Sequence, residues 1–495
     1  MASASQRKDP APITSAGAWC APITGFRALA AIAVAVGHSF LSSRIYPMAG
    51  VVQIIGVIVP MFFVVSAYAL YRPFIVDQIG RREPQRARDF WWRRFLRIYP
   101  LYFVALSTYL IFLPPLRPKG GNPLDYLKLY AFLQVYFPNL RDFSGIPAAW
   151  FLCDEVAFYL MIPALAFLAY RWAVRRSGGR PTTEIILRSH ARLAGVMWVI
   201  GFVCRPFFIA RMGLPGAALP FSNLDFYGAG ILIGVATLWE REGLPLPEPV
   251  IWLREHGGAA AAGMLIGALC IELAATDPAN WTHRQNIFRY LMWTVMTIPA
   301  MVYLIMGDQK SKANTWLSDK RWLWLAALSL HVYLWHQFVL GAFDKYVTQI
   351  ADLTIGPRFT TGIIIGIGCA VITIALSATL RPALDWPYSR WAGPKRAQAR
   401  LRAPARPSPS RPRTTSERAR RPNGPAPKGP PPKGPPAKRP PPDQRARAKP
   451  GRPAGTPSNG PARPSKGPAK RTGKGTAKGA PPRARPKPPP TDPGT

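Results

Sequence analysis

The sequence predicts an all-α polytopic membrane helix bundle of about ten transmembrane helices, with a disordered, basic, proline-rich C-terminal tail. Three observations carry that prediction. Apolar runs near 20 residues recur through residues 1–390, and that length crosses a hydrocarbon core of ~30 Å. The formal net charge is +39, yet residues 391–495 hold 27 of the 63 Lys and Arg, three acidic residues and 29 of the 56 prolines. Basic residues of the front part gather in alternate loops, as the positive-inside rule expects of cytoplasmic segments.

Ten candidate spans follow: 23–42, 51–71, 96–114, 147–170, 191–210, 221–239, 258–276, 287–307, 321–341 and 359–380. Arg7 and Lys8 precede the first run, as in a signal peptide. No small-residue cleavage site follows His38, so it reads as a retained span. Segment 123–138, rich in Tyr and Phe after "RPKGGNP", is short and reads as an interfacial or re-entrant helix. Eight arginines lie from Arg72 to Arg97, and five from Arg171 to Arg188. Lys310, Lys312, Lys320 and Arg321 follow span eight, and the tail follows span ten. With ten spans all of these fall on one side, which gives a multi-pass cell-membrane protein with both termini cytoplasmic. The loop 115–146, with four basic residues, is the exception.

The chain divides into a cytoplasmic segment 1–19, a membrane domain 20–385 and a tail 386–495. The tail's near-repeats, such as "APKGPPPKGPPAKRPPP", cannot bury a core. Two readings of it stay open: an inert solvated extension, or a partner for anionic lipid headgroups at about 1 kcal/mol per nearby basic residue. Specific nucleic-acid binding is not expected of a membrane-tethered segment. Five cysteines (Cys20, Cys153, Cys204, Cys270, Cys369) are scattered, without metal-ligand spacing. Neither a metal site nor a disulfide framework is expected.

Four clusters carry polar chemistry. The first is "RALAAIAVAVGH". Arg27 and His38 are eleven residues apart, so they share a helix face about 16 Å apart along the axis. Arg27 reads either as a snorkelling flank or as a cavity residue. A lone intramembrane His reads either as a packing group or as a functional one facing a polar cavity. The second is "RRFLRIYPLY", where Arg94 and Arg97 share a face at i, i+3. They fit a positive-inside flank or a phosphate clamp equally well. The third is "WFLCDEVAFYLMIP", with Asp154 and Glu155 in an apolar run. Glu155 and Tyr159 share a face, and Pro163 should kink the helix. The acids fit either the outer interface or a water-lined cavity. The fourth is "SLHVYLWHQ", where Ser329, Tyr333 and His336 form one stripe. Ser66, Arg205 and Asp225 are lesser marks.

In order and spacing these blocks resemble the acyltransferase 3 family of multispanning membrane acyltransferases, over about residues 20–385. The likeness rests on Arg27 and His38, "FFVVSA" around Ser66, and Arg94 and Arg97 before "IYP". It also rests on the block with Trp150, Glu155, Phe158, Tyr159 and Pro163, and on "YLWH" with Tyr333 and His336. Two positions depart from the family pattern: Ala67 where Gly is frequent, and Cys153 where Ser or Thr is usual.

The resemblance implies a ten-helix bundle that moves an acyl group, acetyl by default, from cytoplasmic acyl-CoA to a hydroxyl of a cell-envelope glycan, glycolipid or related acceptor. No cofactor is implied beyond acyl-CoA as donor substrate. By the same resemblance His38 is the catalytic base, with Glu155 or His336 as its orienting partner. Arg94 and Arg97 hold the CoA phosphates. Arg27, Ser66, Trp150, Tyr159, Tyr333 and His336 line the substrate path. The chemistry is coherent, because an alcohol needs a base to become a good nucleophile and neutral imidazole suits that work. The competing reading is a transporter or flippase of a lipid-linked glycan, motivated by polar residues at membrane depth. No internal repeat supports it.

Overall fold

The structure, a computed structural model, describes residues 20–42, 56–80, 85–141, 144–274, 282–346 and 358–392. The N-terminal segment 1–19 and the tail beyond 392 lie outside the described residues, so the expectations for both rest on sequence.

Among the described residues every regular element is helical. Helix α1 spans Ala21–Ser42, α2 Ile58–Gln78 and α3 Ala87–Phe112. A short α4, Pro123–Tyr130, precedes α5, Trp150–Ser177. Then come α6 Thr183–Met212, α7 Leu224–Arg241 and α8 Glu248–Ala274. Last are α9 His283–Met306, α10 Lys312–Leu317, α11 Lys320–Ala326, α12 Ser329–Tyr346 and α13 Arg358–Leu384.

Eight of these helices are long and apolar enough to cross a membrane, and α11 with α12 would add a ninth as one bent crossing. The expected span 258–276 falls on α8, which runs to the edge of the described residues. Segment 123–138 forms only the short α4 and single helical turns.

Local chemistry sets the ends. The Thr182 hydroxyl accepts from Ile185 N (3.3 Å) at the start of α6. Thr282 and Gln285 form a reciprocal capping box on α9. Gly178, left-handed at φ +66°, stops α5. Pro163 lies inside α5, which nevertheless stays one continuous helix of 28 residues. Helix neighbours in a bundle absorb the missing backbone bond.

Two spans differ from expectation in ways that shape the interior. Helix α3 begins at Ala87, well before the expected residue 96, because "ARDFWWRRF" holds no helix breaker and Arg is a good helix former. Arg94 and Arg97 therefore lie within a helix, on its first turns. The expected span 321–341 is broken, and α11 and α12 meet at 66°. No Pro or Gly marks the break. The Ser329 hydroxyl instead donates to the Ala326 carbonyl (2.9 Å), a side-chain bond that competes with helix continuation.

Helix α1 packs among α10, α11, α12 and α13, and α7 lies against both α2 and α6. Close approach of α7 to α2 depends on Gly230, whose missing side chain leaves room for the Val64 carbonyl. Tyr71, Tyr102, Tyr109, Phe158 and Tyr227 are fully buried. Large apolar residues such as Ile111, Val203, Phe207 and Val371 face outward, as a lipid-facing perimeter requires.

Candidate active site

Two cavities open inside this bundle. One, of about 180 Å³, is lined by His38, Trp150, Asn223, Tyr290 and Trp293, among others. The second, of about 130 Å³, is lined by Arg27, Ser66, Arg94, Arg97, Glu155, Tyr159 and Ser329. Phe151 of α5 and Tyr333 of α12 line both, with ring centroids 5.5 Å apart. These two rings form the shared wall.

In the first cavity, His38 Nδ1 lies 2.9 Å from the Val34 carbonyl and 3.1 Å from His336 Nε2. His336 Nδ1 lies 2.7 Å from the Tyr333 carbonyl. A carbonyl only accepts, so His336 carries its proton on Nδ1 and, when neutral, accepts at Nε2. That acceptor and the Val34 carbonyl both call for a proton on His38 Nδ1. The lone pair of neutral His38 is thereby assigned to Nε2, from hydrogen-bond partners rather than from visible hydrogens.

In the second cavity, Arg27 Nη2 donates to the Ser329 hydroxyl at 3.5 Å. The Tyr159 hydroxyl donates to Glu155 Oε2. Among the described residues, Glu155 Oε1 and Arg94 Nε are buried and lack a hydrogen-bond partner. Beside a void, such atoms keep hydrogen-bonding capacity that a bound group or water can take up. The Arg97 guanidinium lies 5.4 Å from the ring of Tyr388, beyond the end of α13.

The site residues expected from sequence thus fall into two groups. Arg27, Ser66, Arg94, Arg97, Glu155 and Tyr159 line the arginine cavity. His38 and Trp150 line the other, with His336 against His38 and Tyr333 at the junction. Of the two groups expected to orient His38, His336 touches it and Glu155 lies in the arginine cavity. The cause is position along the helix: Phe151, one turn earlier on the same face of α5, lines the junction, and Glu155 lies one turn further along, on the arginine side. Asp154 takes yet another direction and accepts from Asn223 Nδ2 at 2.6 Å. Arg205 and Asp225 form a buried ion pair joined by Thr294; neither lines a cavity, and the Arg205 guanidinium lies 5.7 Å from the ring of Tyr290, behind the wall of the first.

Phe151, Asn223, Tyr290 and Trp293 were not singled out in the sequence. Tyr290 and Trp293 carry a readable signal, an aromatic i, i+3 pair within α9. Asn223 carries none, since it ends a single 3-10 turn, Pro220–Asn223, just before α7.

Residues 22–381 match the model of the acyltransferase 3 family, described as an acyltransferase domain. The chain belongs to this family. A peptidoglycan O-acetyltransferase of Listeria monocytogenes is 29% identical over 347 residues, 67% of this chain and 50% of its own length. A putative peptidoglycan O-acetyltransferase of Bacillus subtilis is 23% identical over 300 residues, 57% of this chain and 44% of its own. An acyltransferase of Streptomyces mycarofaciens is 31% identical over 216 residues, 41% of this chain and 51% of its own. The chain spans about half the length of the curated relatives it matches. No solved structure matches it. Family membership makes the membrane domain an acyltransferase domain and leaves the transport reading without support.

Proposed function

We propose that the protein transfers an acyl group, acetyl, from acyl-CoA on the cytoplasmic side to a hydroxyl of a cell-envelope glycan. The observation that carries this reading is the paired cavities: clustered arginines in one, a histidine base in the other, with a common wall at Phe151 and Tyr333. Arg94 and Arg97 attract donor phosphates, with Arg27 adding positive charge deeper in. Glu155 limits repulsion among the three guanidiniums. The donor's thin pantetheine arm passes where Phe151 and Tyr333 meet, which requires those edge-to-face rings to part, and carries the thioester toward His38.

His38 Nε2 accepts the acceptor hydroxyl's proton as its oxygen attacks the thioester carbonyl. The tetrahedral intermediate collapses and the carbon–sulfur bond breaks. The departing CoA thiolate takes the proton from His38, and an ester and free CoA result. His336 fixes the ring and its tautomer. Both termini are cytoplasmic in this scheme. The basic tail adds anionic-headgroup binding, so deleting residues 395–495 should spare transfer and weaken salt-sensitive binding to anionic vesicles.

The test is label transfer from labelled acetyl-CoA to envelope glycans by purified protein. His38→Ala should lower transfer by roughly 10²–10⁴-fold. Unchanged transfer in that variant sinks the mechanism.

A further inference from the structure

Asp154 and Asn223 are buried together at the His38 cavity, and nothing above gives them work. Asn223 lines the cavity and is 2% exposed. Its Nδ2 donates to Asp154 Oδ2 (2.6 Å) and to the Ala217 carbonyl (2.9 Å), with a longer contact to the Leu219 carbonyl (3.4 Å). The two backbone carbonyls only accept, which fixes Nδ2 as the atom on that side of the amide. Its Oδ1 has no protein partner among the described residues and is not sealed in the packing. The oxygen is left to the cavity.

The amide is held hard in that orientation. Asp154 is fully buried, and among the described residues its other oxygen, Oδ1, has no partner. Asn223 is the one hydrogen-bond donor to that carboxyl group among the described residues, so turning the amide would strand it. The stretch before α7 is pinned as well, since the Ser222 hydroxyl donates to the Gly216 carbonyl (2.7 Å). Beside Asn223, the cavity wall carries Trp150, Tyr290 and Trp293. The Tyr290 hydroxyl and the Trp293 indole N–H likewise have no protein partner among the described residues. Flat aromatic walls with a few unengaged polar atoms suit a polyhydroxylated ring, which has apolar faces and a hydroxyl rim.

We propose that Asn223 is the acceptor-positioning residue: its Oδ1 accepts a hydrogen bond from a hydroxyl next to the one that His38 deprotonates, and Asp154 locks the amide for that role. The proposal rests on the acyl-transfer reading and adds to it. It makes the preferred acceptor a ring bearing neighbouring hydroxyls rather than a simple alcohol. A lone hydroxyl would engage His38 and leave Asn223 Oδ1 unpaired, which is how a built polar site discriminates.

The test titrates envelope glycans extracted from the source cells against full-length protein in proteoliposomes, with labelled acetyl-CoA as donor. Asn223→Ala should raise the half-saturating glycan concentration about tenfold, the equivalent of ~1.4 kcal/mol, while half-saturation by acetyl-CoA stays put. Asp154→Ala should raise it too, and Asp154→Asn less, because Asn keeps an oxygen that accepts from Asn223. A merely structural pair would move donor and acceptor constants together. Unchanged glycan half-saturation in both Asn223→Ala and Asp154→Ala, with His38→Ala inactive, overturns this proposal alone. Absence of transfer by the wild-type protein overturns the underlying reading with it. Should Asn223→Ala fail to fold, the Asp154→Ala and Asp154→Asn pair decides the matter by the same readout.

Discussion

Two of the clusters of buried charge in the interior are built from the same kinds of residue and finished differently. Between α6, α7 and α9, Arg205 pairs directly with Asp225. Thr294 accepts from Arg205 at 2.9 Å and donates to Asp225 at 3.1 Å. Arg205 is 1% exposed and its guanidinium lies 4.3 Å from the Phe226 ring centroid. Between α1, α3 and α5, Arg27, Arg94 and Glu155 surround a cavity, and no ion pair joins Arg94 to Glu155 among the described residues. One cluster is joined internally by its ion pair and lines neither cavity, although Arg205 Nε is left without a hydrogen-bond partner among the described residues. The other is held open, with charge and hydrogen-bonding capacity in reserve. Closure marks a group whose partner is the fold. Openness marks one whose partner arrives.

The comparison breaks most easily at the closed cluster. Arg205→Ala leaves Asp225 charged and buried without its partner, a loss of about 3–5 kcal/mol. The expected result is a large fall in melting temperature in detergent, with little folded protein recovered. The double replacement Arg205→Met with Asp225→Leu should regain much of that loss, because no buried charge remains. A mild effect of the single change would show that water reaches this pair and that the cluster is not closed.

Next in size is the open cluster. Arg94→Ala should raise half-saturation by acetyl-CoA about 10–100-fold, as expected for one charge-assisted phosphate bond of about 1.5–3 kcal/mol. Its melting temperature should hold or rise, since repulsion from Arg97 is relieved. A melting loss like that of Arg205→Ala would erase the distinction. Glu155→Gln should act more weakly, by a few-fold on donor half-saturation through lost charge balance.

How far the sequence foretells this contrast depends on periodicity. Residues on one helix are placed by spacing alone: Arg27 and His38, Arg94 and Arg97, Glu155 and Tyr159, Ser329 and His336. Apolar run length likewise indicates the helical bundle. Relations between helices are not written in any one segment. Nothing near Glu155 says that Phe151 will screen it from His38. Nothing near Arg205 names Asp225 twenty residues on as its partner. The bend before Ser329 comes from a side-chain hydrogen bond in a stretch without Pro or Gly. Asn223 sits at the end of a four-residue 3-10 turn, too short for any period to show.

The smallest effects sharpen the contrast furthest, because each cluster contains a hydroxyl that can be removed almost without change of shape. Thr294→Val deletes the oxygen that bridges Arg205 and Asp225. Helix-to-helix hydrogen bonds in membrane proteins average about 0.6 kcal/mol, reaching about 1.7 kcal/mol. A modest drop in melting temperature is expected, with donor and glycan half-saturation both unchanged. Tyr159→Phe deletes the hydroxyl that donates to Glu155 in the open cluster. There the carboxylate already has one unpartnered oxygen beside a cavity, so water can take the vacated place. Melting temperature should stay near that of the parent, while half-saturation by acetyl-CoA shifts by a few-fold. A reversed result, with Tyr159→Phe destabilising and Thr294→Val altering donor use, would place the reserve of charge in the wrong cluster.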